Sequence, residues 1–101
     1  MGWSVVLQGE KQNVIERIDE EFYWDILSEH EWNNRGQYIL LKYLDPYGDA
    51  IFNPGQMDDL IADLERMKKS VDSNKLLIDK IVAMAVTCKN EVHTYIRFIG
   101  D

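Results

Sequence analysis

The sequence predicts an α+β fold: an antiparallel β-sheet of about five strands with two main helices packed on one face, and one short helix. Two observations indicate this class. Short runs rich in β-formers occupy both ends of the chain and the region before residue 53, whereas two helical patterns follow one another between residues 53 and 88. Because these helices are adjacent instead of alternating with strands, the sheet is expected to be antiparallel and covered on one side.

The first half of the chain carries three predicted elements. Trp3 to Gln8 alternates apolar and polar side chains, and with the run 13–18 it predicts a β-hairpin around a glycine-containing connection. Residues 19–27 predict a short helix with Asp19 as its N-cap and Phe22 facing inward. Residues 37–44, apolar on both faces, predict a central strand buried on both sides.

The second half begins with a turn. In residues 45–49, DPYGD, proline and glycine favour a type I turn with the Asp45 carboxylate accepting from the backbone, and residues 50–52 return as a partner strand. Asn53, Pro54 and Gln56 then predict a capped helix start. Its inward stripe is Met57, Leu60, Ile61, Leu64 and Met67, and its outer face carries Asp58, Asp59 and Asp63.

The last two elements are a second helix and a closing strand. The helix runs over residues 74–88 behind Asp72 or Ser73 as its cap, and it is predicted to be largely buried because apolar residues cover most of its circumference. Residues 92–99 form the closing strand. No repeat or linker divides the sequence, so a single domain over residues 1–101 is expected, without a cofactor.

The uneven distribution of charge along the sequence limits the kinds of partner that the chain is expected to bind. Residues 1–63 hold 13 acidic and four basic residues, a net charge of −9, while residues 64–101 hold five acidic and seven basic residues, a net charge of +2. An acidic half repels nucleic acid and membrane surfaces and attracts basic proteins. Without a signal peptide or an apolar span, the chain is predicted to be cytoplasmic.

Residues that could carry chemistry are few. His30 and His93 have no partner at metal-ligand spacing, so no metal site is predicted. Cys88 could pair with His93 as a thiolate–imidazole couple, but a free cysteine on an apolar helix is usually a buried hydrophobe. Asp45 and Asp49 could hold a cation, although turn geometry explains them better. The chain is therefore predicted not to be an enzyme.

The most informative segment is acidic and aromatic. Six acids fall within residues 19–31 with no lysine or arginine among them, and three consecutive aromatics, 22–24, cannot all face one side of a helix. An exposed ring among carboxylates is typical of a docking site for a basic protein; the alternative is a solvated acidic face. The predicted partner-binding residues are Asp19, Glu20, Glu21, Tyr23, Trp24, Asp25, Glu29, Glu31, Trp32, Asp49, Asp58 and Asp59.

Two segments carry a family resemblance. Residues 38–53, YILLKYLDPYGDAIFN, with the following helix to residue 67, and the ending HTYIRFIGD resemble a family of small, mostly uncharacterised bacterial proteins. The resemblance implies a hairpin feeding a capped helix, and for some members a role as immunity proteins of polymorphic or contact-dependent toxin systems. It carries no catalytic residue over to this chain.

The leading hypothesis is therefore an immunity or antitoxin-like protein that neutralises a basic toxin, such as a nuclease, by covering its surface. The alternative is a non-catalytic adaptor or a homodimer that uses a sheet edge or an apolar face. A third hypothesis is an enzyme that uses Cys88 with His93.

Overall fold

The computed structural model describes residues 2–23, 35–45, 47–71 and 75–100. It is an α+β fold with an antiparallel sheet and two helices, as predicted. The strands are β1 (Gly2–Gly9), β2 (Val14–Arg17), β3 (Phe22–Tyr23), β4 (Asp49–Phe52) and β5 (Thr94–Gly100); the helices are α1 (Met57–Ser70) and α2 (Lys75–Asn90). Four strands follow the order β2-β1-β5-β4, and the two-residue β3 also pairs with β1, which is compatible with the expected five.

The two termini of the described chain form the middle of the sheet. β1 pairs with β5 along seven residues, from Trp3–Gly100 to Gly9–Thr94. Val5 opposite Phe98 and Leu7 opposite Ile96 point into the core shared with the helices. The intervening Val6 is buried as well, so β1 is covered more completely than its alternating pattern predicts.

The predicted N-terminal hairpin is confirmed. β2 runs antiparallel to β1, with Leu7 opposite Glu16 and Gln8 opposite Val14, so one residue of β2 bulges out of register. The connection closes with a hydrogen bond from the Gly9 N–H to the Asn13 carbonyl of 2.8 Å. A Cβ at Gly9 would lie 2.6 Å from the Asn13 side-chain oxygen, so a larger residue there would require the Asn13 side chain to move.

The short helix predicted for residues 19–27 is wrong where the structure describes the chain. Phe22 and Tyr23 form strand β3, opposite Trp3 and Gly2. The Phe22 ring is fully buried, with its centroid 6.1 Å from that of Trp3 and 5.8 Å from that of Phe98. Pairing with β1 and this aromatic contact outweigh the local helix signal. Residues 24–27 lie outside the described residues.

The central strand predicted for residues 37–44 is also wrong. This segment folds into two short 3₁₀ turns, Arg35–Gln37 and Leu41–Tyr43, and strand β4 pairs with β5 instead of with residues 37–44. The apolar side chains divide accordingly, since Tyr38, Leu41 and Leu44 are buried whereas Ile39 and Tyr43 are exposed.

The cause of this looped conformation is Asp63, which the sequence pattern had placed on the outer face of α1. Its side chain is 2% exposed and accepts three backbone hydrogen bonds, from Ile39 (2.9 Å), Leu40 (2.7 Å) and Leu41 (3.0 Å). A buried carboxylate is tolerated only when such donors replace water. Three amides that point at one carboxylate cannot also form a β-ladder, so the segment is a loop.

The start and the inward stripe of α1 are confirmed. The Gln56 side chain accepts the Asn53 N–H at 2.9 Å in a capping box, and Pro54 opens a 3₁₀ turn that leads into the helix. Ile61 is partly buried and packs against the core. The other four residues of the stripe are fully buried: Met57, Leu60, Leu64 and Met67.

The second helix and the last strand differ from the predictions in detail. Helix α2 buries one face against the core, but Leu76 is 79% exposed and Val86 is 44% exposed, so the helix is less covered than predicted. The predicted caps, Asp72 and Ser73, lie outside the described residues. Val92 is exposed in a turn, and β5 begins at Thr94.

The two helices lie antiparallel to each other. Asp58, at the start of α1, pairs with Lys89, at the end of α2, at 2.7 Å. Ten residues later in α1, Lys68 pairs with Asp79, ten residues earlier in α2, at 2.6 Å, so the two helices run in opposite directions. Among the described residues, no helix is long and apolar enough to cross a membrane.

Replacing Asp63 tests its role in the fold. We expect Asp63→Asn to lower the free energy of unfolding by about 2–4 kcal/mol, because the amide NH₂ cannot accept the N–H groups that a carboxylate oxygen receives. The exposed Asp59→Asn on the same helix should change it by less than about 0.5 kcal/mol. Urea unfolding of both variants measures the difference, and equal stabilities would contradict this assignment.

Candidate protein-binding surface

Three consecutive acids form an exposed turn at one edge of the sheet. Asp19, Glu20 and Glu21 lie between β2 and β3, and all are exposed. The flanking Ile18 and Phe22 are buried, and the Ile18 N–H donates to the Val5 carbonyl at 3.1 Å. The chain is thus anchored to β1 on both sides of the acids, which fixes where this acidic turn (residues 19–21) presents its carboxylates.

Glu20 has a specific partner on α2. The Lys80 ammonium donates to its carboxylate at 2.7 Å, and both side chains are 54% exposed. This hydrogen bond is the main cause of a lowered pKa for the Glu20 carboxyl, assisted by a backbone hydrogen bond. The contact also shows that Glu20 turns toward the helical side of the sheet.

The other predicted acids lie elsewhere. Asp49 is on β4, the opposite edge of the sheet from the acidic turn, and forms an ion pair with Arg97. Asp58, beside the exposed Asp59, pairs with Lys89 at 2.7 Å. Lys80 and Lys89 are nine residues apart on one helix, or roughly 14 Å. The structure therefore keeps three acidic positions separate and does not join Asp19–Glu21, Asp49 and Asp58–Asp59 into one patch.

Part of the predicted surface is not described. Trp24, Asp25, Glu29, Glu31 and Trp32 lie outside the described residues, as does the side chain of Tyr23, whose backbone pairs with Gly2. The acidic turn leads directly into this segment along the chain.

A second surface was missed by the sequence analysis. The side of the sheet turned away from α1 and α2, here called the second face, carries the residues that alternate with the core positions, and its Val6 and Gln8 are buried. Its middle row consists of Arg17, Val6, Arg97 and Ile51, one residue from each of the four strands. The alternation of Tyr95 and Arg97 with the apolar Ile96 and Phe98 is the sequence signal that could have revealed it.

Cys88 is buried, whereas the His93 side chain is exposed. Cys88 is fully buried, its sulfur lies 3.5 Å from the Thr94 hydroxyl, and burial raises the pKa of its thiol. His93 adopts a left-handed backbone (φ 61°), and its Nδ1 lies 3.9 Å from Glu10 in an exposed contact. The second histidine, His30, lies outside the described residues.

The turn interpretation of Asp45 is confirmed by its contacts, and Asp49 begins strand β4. The Asp45 carboxylate accepts the Tyr47 N–H at 2.9 Å and its carbonyl accepts the Gly48 N–H at 3.2 Å, whereas Asp49 is held by Arg97. Within the described ranges, no three His, Cys, Asp or Glu side chains gather closely enough to hold a metal ion.

Comparison with known proteins adds no relative: no family model matches the chain, and neither a curated protein nor a solved structure does so significantly. The resemblance to a family of small, mostly uncharacterised bacterial proteins, and the immunity function that it implies for some members, stay predictions.

The burial of Cys88 predicts that its thiol reacts slowly in the folded protein. We expect the native thiol to react with a disulfide reagent at pH 8 at least about 100 times more slowly than the same thiol in urea, because a raised pKa leaves less thiolate and burial blocks access. The release of the chromophore measures both rates. Native labelling as fast as that of the unfolded chain would revive the catalytic-cysteine hypothesis.

The Glu20–Lys80 contact predicts that the pKa of the Glu20 carboxyl depends on Lys80. Lys80→Gln should return the pKa of the Glu20 carboxyl toward its ordinary value of 4.5, whereas Lys69→Gln, on the other helix, should leave it lowered. Because the folded-state pKa is the lower one, the contact stabilises the fold above pH 4.5 and loses this effect as the pH falls further. Carboxyl NMR titration tests this; an identical Glu20 pKa in the two variants would mean that the contact is absent in solution.

Proposed function

We propose that this chain is a protein-binding protein of the immunity or antitoxin type, which neutralises a basic toxin such as a nuclease by covering its surface. The observation that carries the proposal is the acidic turn, residues 19–21. Its carboxylates are exposed, and buried neighbours at positions 18 and 22 anchor it to β1 on both sides. Charges held in place before binding lose little conformational freedom when a partner docks.

The charge distribution supports a basic partner. The chain has a net charge of −7, and several of its bases are already engaged within the molecule. Lys68, Lys80 and Lys89 each pair with a carboxylate of the same chain, as does Arg97. These bases partly neutralise their own partners, but the overall excess of negative charge persists and accelerates the approach of a positively charged protein.

The proposed contact surface begins at the acidic turn and continues along the chain through Tyr23, Trp24, Asp25, Glu29, Glu31 and Trp32. In this proposal the aromatic side chains supply the apolar anchor that carboxylates alone lack. Asp49, Asp58 and Asp59 contribute to the long-range field instead of to the contact, since they lie on other parts of the molecule.

The mode of action would be occlusion without catalysis. A stoichiometric inhibitor needs a rigid scaffold and a surface complementary to its target. In this chain the sheet and the helices share one continuous core, which supplies such a scaffold.

A charge reversal in the acidic turn tests the proposal. The chain is co-expressed with the product of the neighbouring gene, and the association rate of the co-purified pair is measured at low and moderate salt. We expect Asp19→Lys to slow association by roughly three- to tenfold and moderate salt to slow the wild type similarly, because both weaken electrostatic steering.

The matched control is Glu65→Lys, on the exposed side of α1. It makes the same change in net charge away from the acidic turn and should slow association by less than about twofold. No binding between the neighbouring products would contradict the immunity function. Binding that neither salt nor Asp19→Lys affects would show that the acidic turn is not the contact.

A further inference from the structure

Tyr47 is the most exposed large hydrophobic side chain among the described residues, at 83%. It lies in the turn that leads from Asp45 into strand β4, and Asp45 is exposed as well. Tyrosine is among the residues that contribute most to protein interfaces, because its large ring gains burial when a partner covers it. An isolated exposed ring is common on protein surfaces, so the surroundings of Tyr47 decide what it can bind.

The backbone on both sides of Tyr47 is fixed to the middle of the sheet. Before it, the Trp3 indole N–H donates to the Asp45 carbonyl at 2.9 Å. After it, the Gly48 carbonyl accepts the Gly100 N–H at 2.9 Å. The Tyr47 N–H itself donates to the Asp45 carboxylate at 2.9 Å. A ring on a backbone held in this way loses less conformational freedom on binding than one on a free loop.

Trp3 also connects this turn to the acidic turn. Its backbone is opposite Phe22, the residue that follows the acidic turn, while its indole reaches Asp45. From Phe22 across β1 and β5 to Gly48 is three strand spacings, or about 14 Å. A standard interface of about 800 Å² per partner is roughly 28 Å across. One partner can therefore cover both turns.

Both turns lie toward the helical side of the sheet. The Trp3 side chain that holds Asp45 belongs to the core shared with the helices, and Glu20 reaches Lys80 on α2. Asp49 differs, since it pairs with Arg97 on the second face. The surface that joins the two turns therefore does not include Asp49.

The charge beside Tyr47 suits a cationic side chain. Asp45 supplies an exposed carboxylate, and an ionised carboxylate has about four lone-pair sites, so it can accept donors besides the Tyr47 N–H. Within the chain itself, the Lys42 ammonium lies 5.2 Å from the ring centre of Tyr43, which is the geometry of a cation–π contact. Arginine suits a ring next to a carboxylate best, because its flat guanidinium stacks on the ring while its N–H groups donate sideways.

We propose that Tyr47 anchors the basic partner by taking an arginine side chain of that partner on the face of its ring, with the guanidinium donating to the Asp45 carboxylate. The inference rests on the proposed inhibitor function and extends its contact surface from the acidic turn to Tyr47. The two turns then have different effects on binding. The acidic turn accelerates the approach of the partner, whereas Tyr47 slows its departure, since steering acts on association and anchoring contacts act on dissociation.

Dissociation of the co-purified pair, followed by surface plasmon resonance at one moderate salt concentration, tests the anchor. Tyr47→Ala should raise the dissociation rate by about tenfold or more and change the association rate by less than about twofold. Tyr47→Phe keeps the ring face and should stay within about threefold of the wild type, whereas Tyr47→Leu keeps apolar bulk without that face and should dissociate at least about fivefold faster.

The matched control is Tyr43→Ala, which removes another exposed tyrosine ring. Because Lys42 already lies over that ring, its loss should change the dissociation rate by less than about twofold. Tyr47 is exposed, so its substitution leaves the core intact, and circular dichroism verifies that each variant folds.

The possible failures can be told apart. If the pair associates and Asp19→Lys slows association, but Tyr47→Ala leaves the dissociation rate unchanged, this inference is wrong and the proposed function stands. The inference is also wrong if Tyr47→Leu dissociates as slowly as the wild type, or if Tyr43→Ala accelerates dissociation as much as Tyr47→Ala. A chain that forms no complex with the product of the neighbouring gene contradicts the proposed function and, with it, the anchor.

Discussion

The buried carboxylate of Asp63 holds residues 39–41 against α1 through three backbone N–H groups. The segment that it holds is the most strand-like in the sequence, yet its amides are occupied and it cannot join the sheet. The place beside β1 is taken instead by β5, from the other end of the chain, and β4 pairs with β5 at the edge. The loop that Asp63 holds therefore lies outside the sheet, whose order is β2-β1-β5-β4.

The sequence correctly predicted the elements that are stabilised by residues close to one another in the chain. The capping box at Asn53 and Gln56, the apolar stripe of α1 and the first hairpin all depend on residues close in sequence, and all are confirmed. Phe22 is buried as predicted, but the conformations of residues 22–23 and 37–44 were predicted wrongly. Distant partners decide them: Asp63 for the loop, and Trp3 with Phe98 for β3. An aspartate at the edge of a helical stripe gives no sign in sequence that it is buried.

The functional surface was harder to predict for a similar reason. The acidic first half and the mildly basic second half of the sequence suggest separate surfaces, but the fold brings them together. Lys80 and Lys89 on α2 reach acids from the first half, and Arg97 reaches Asp49. Acids that looked like one patch are distributed among the acidic turn, the start of α1 and strand β4. Only the contiguity of residues 19–21 could be read directly from the chain.

Amide hydrogen exchange at residues 39–41 tests most directly whether Asp63 organises the fold. If its carboxylate holds these three N–H groups, the amides of Ile39, Leu40 and Leu41 exchange as slowly as those of the central strands β1 and β5, despite lying in a loop. Exchange at the rate of an unstructured peptide, with β1 and β5 still protected, would contradict the account and leave the loop conformation without its cause.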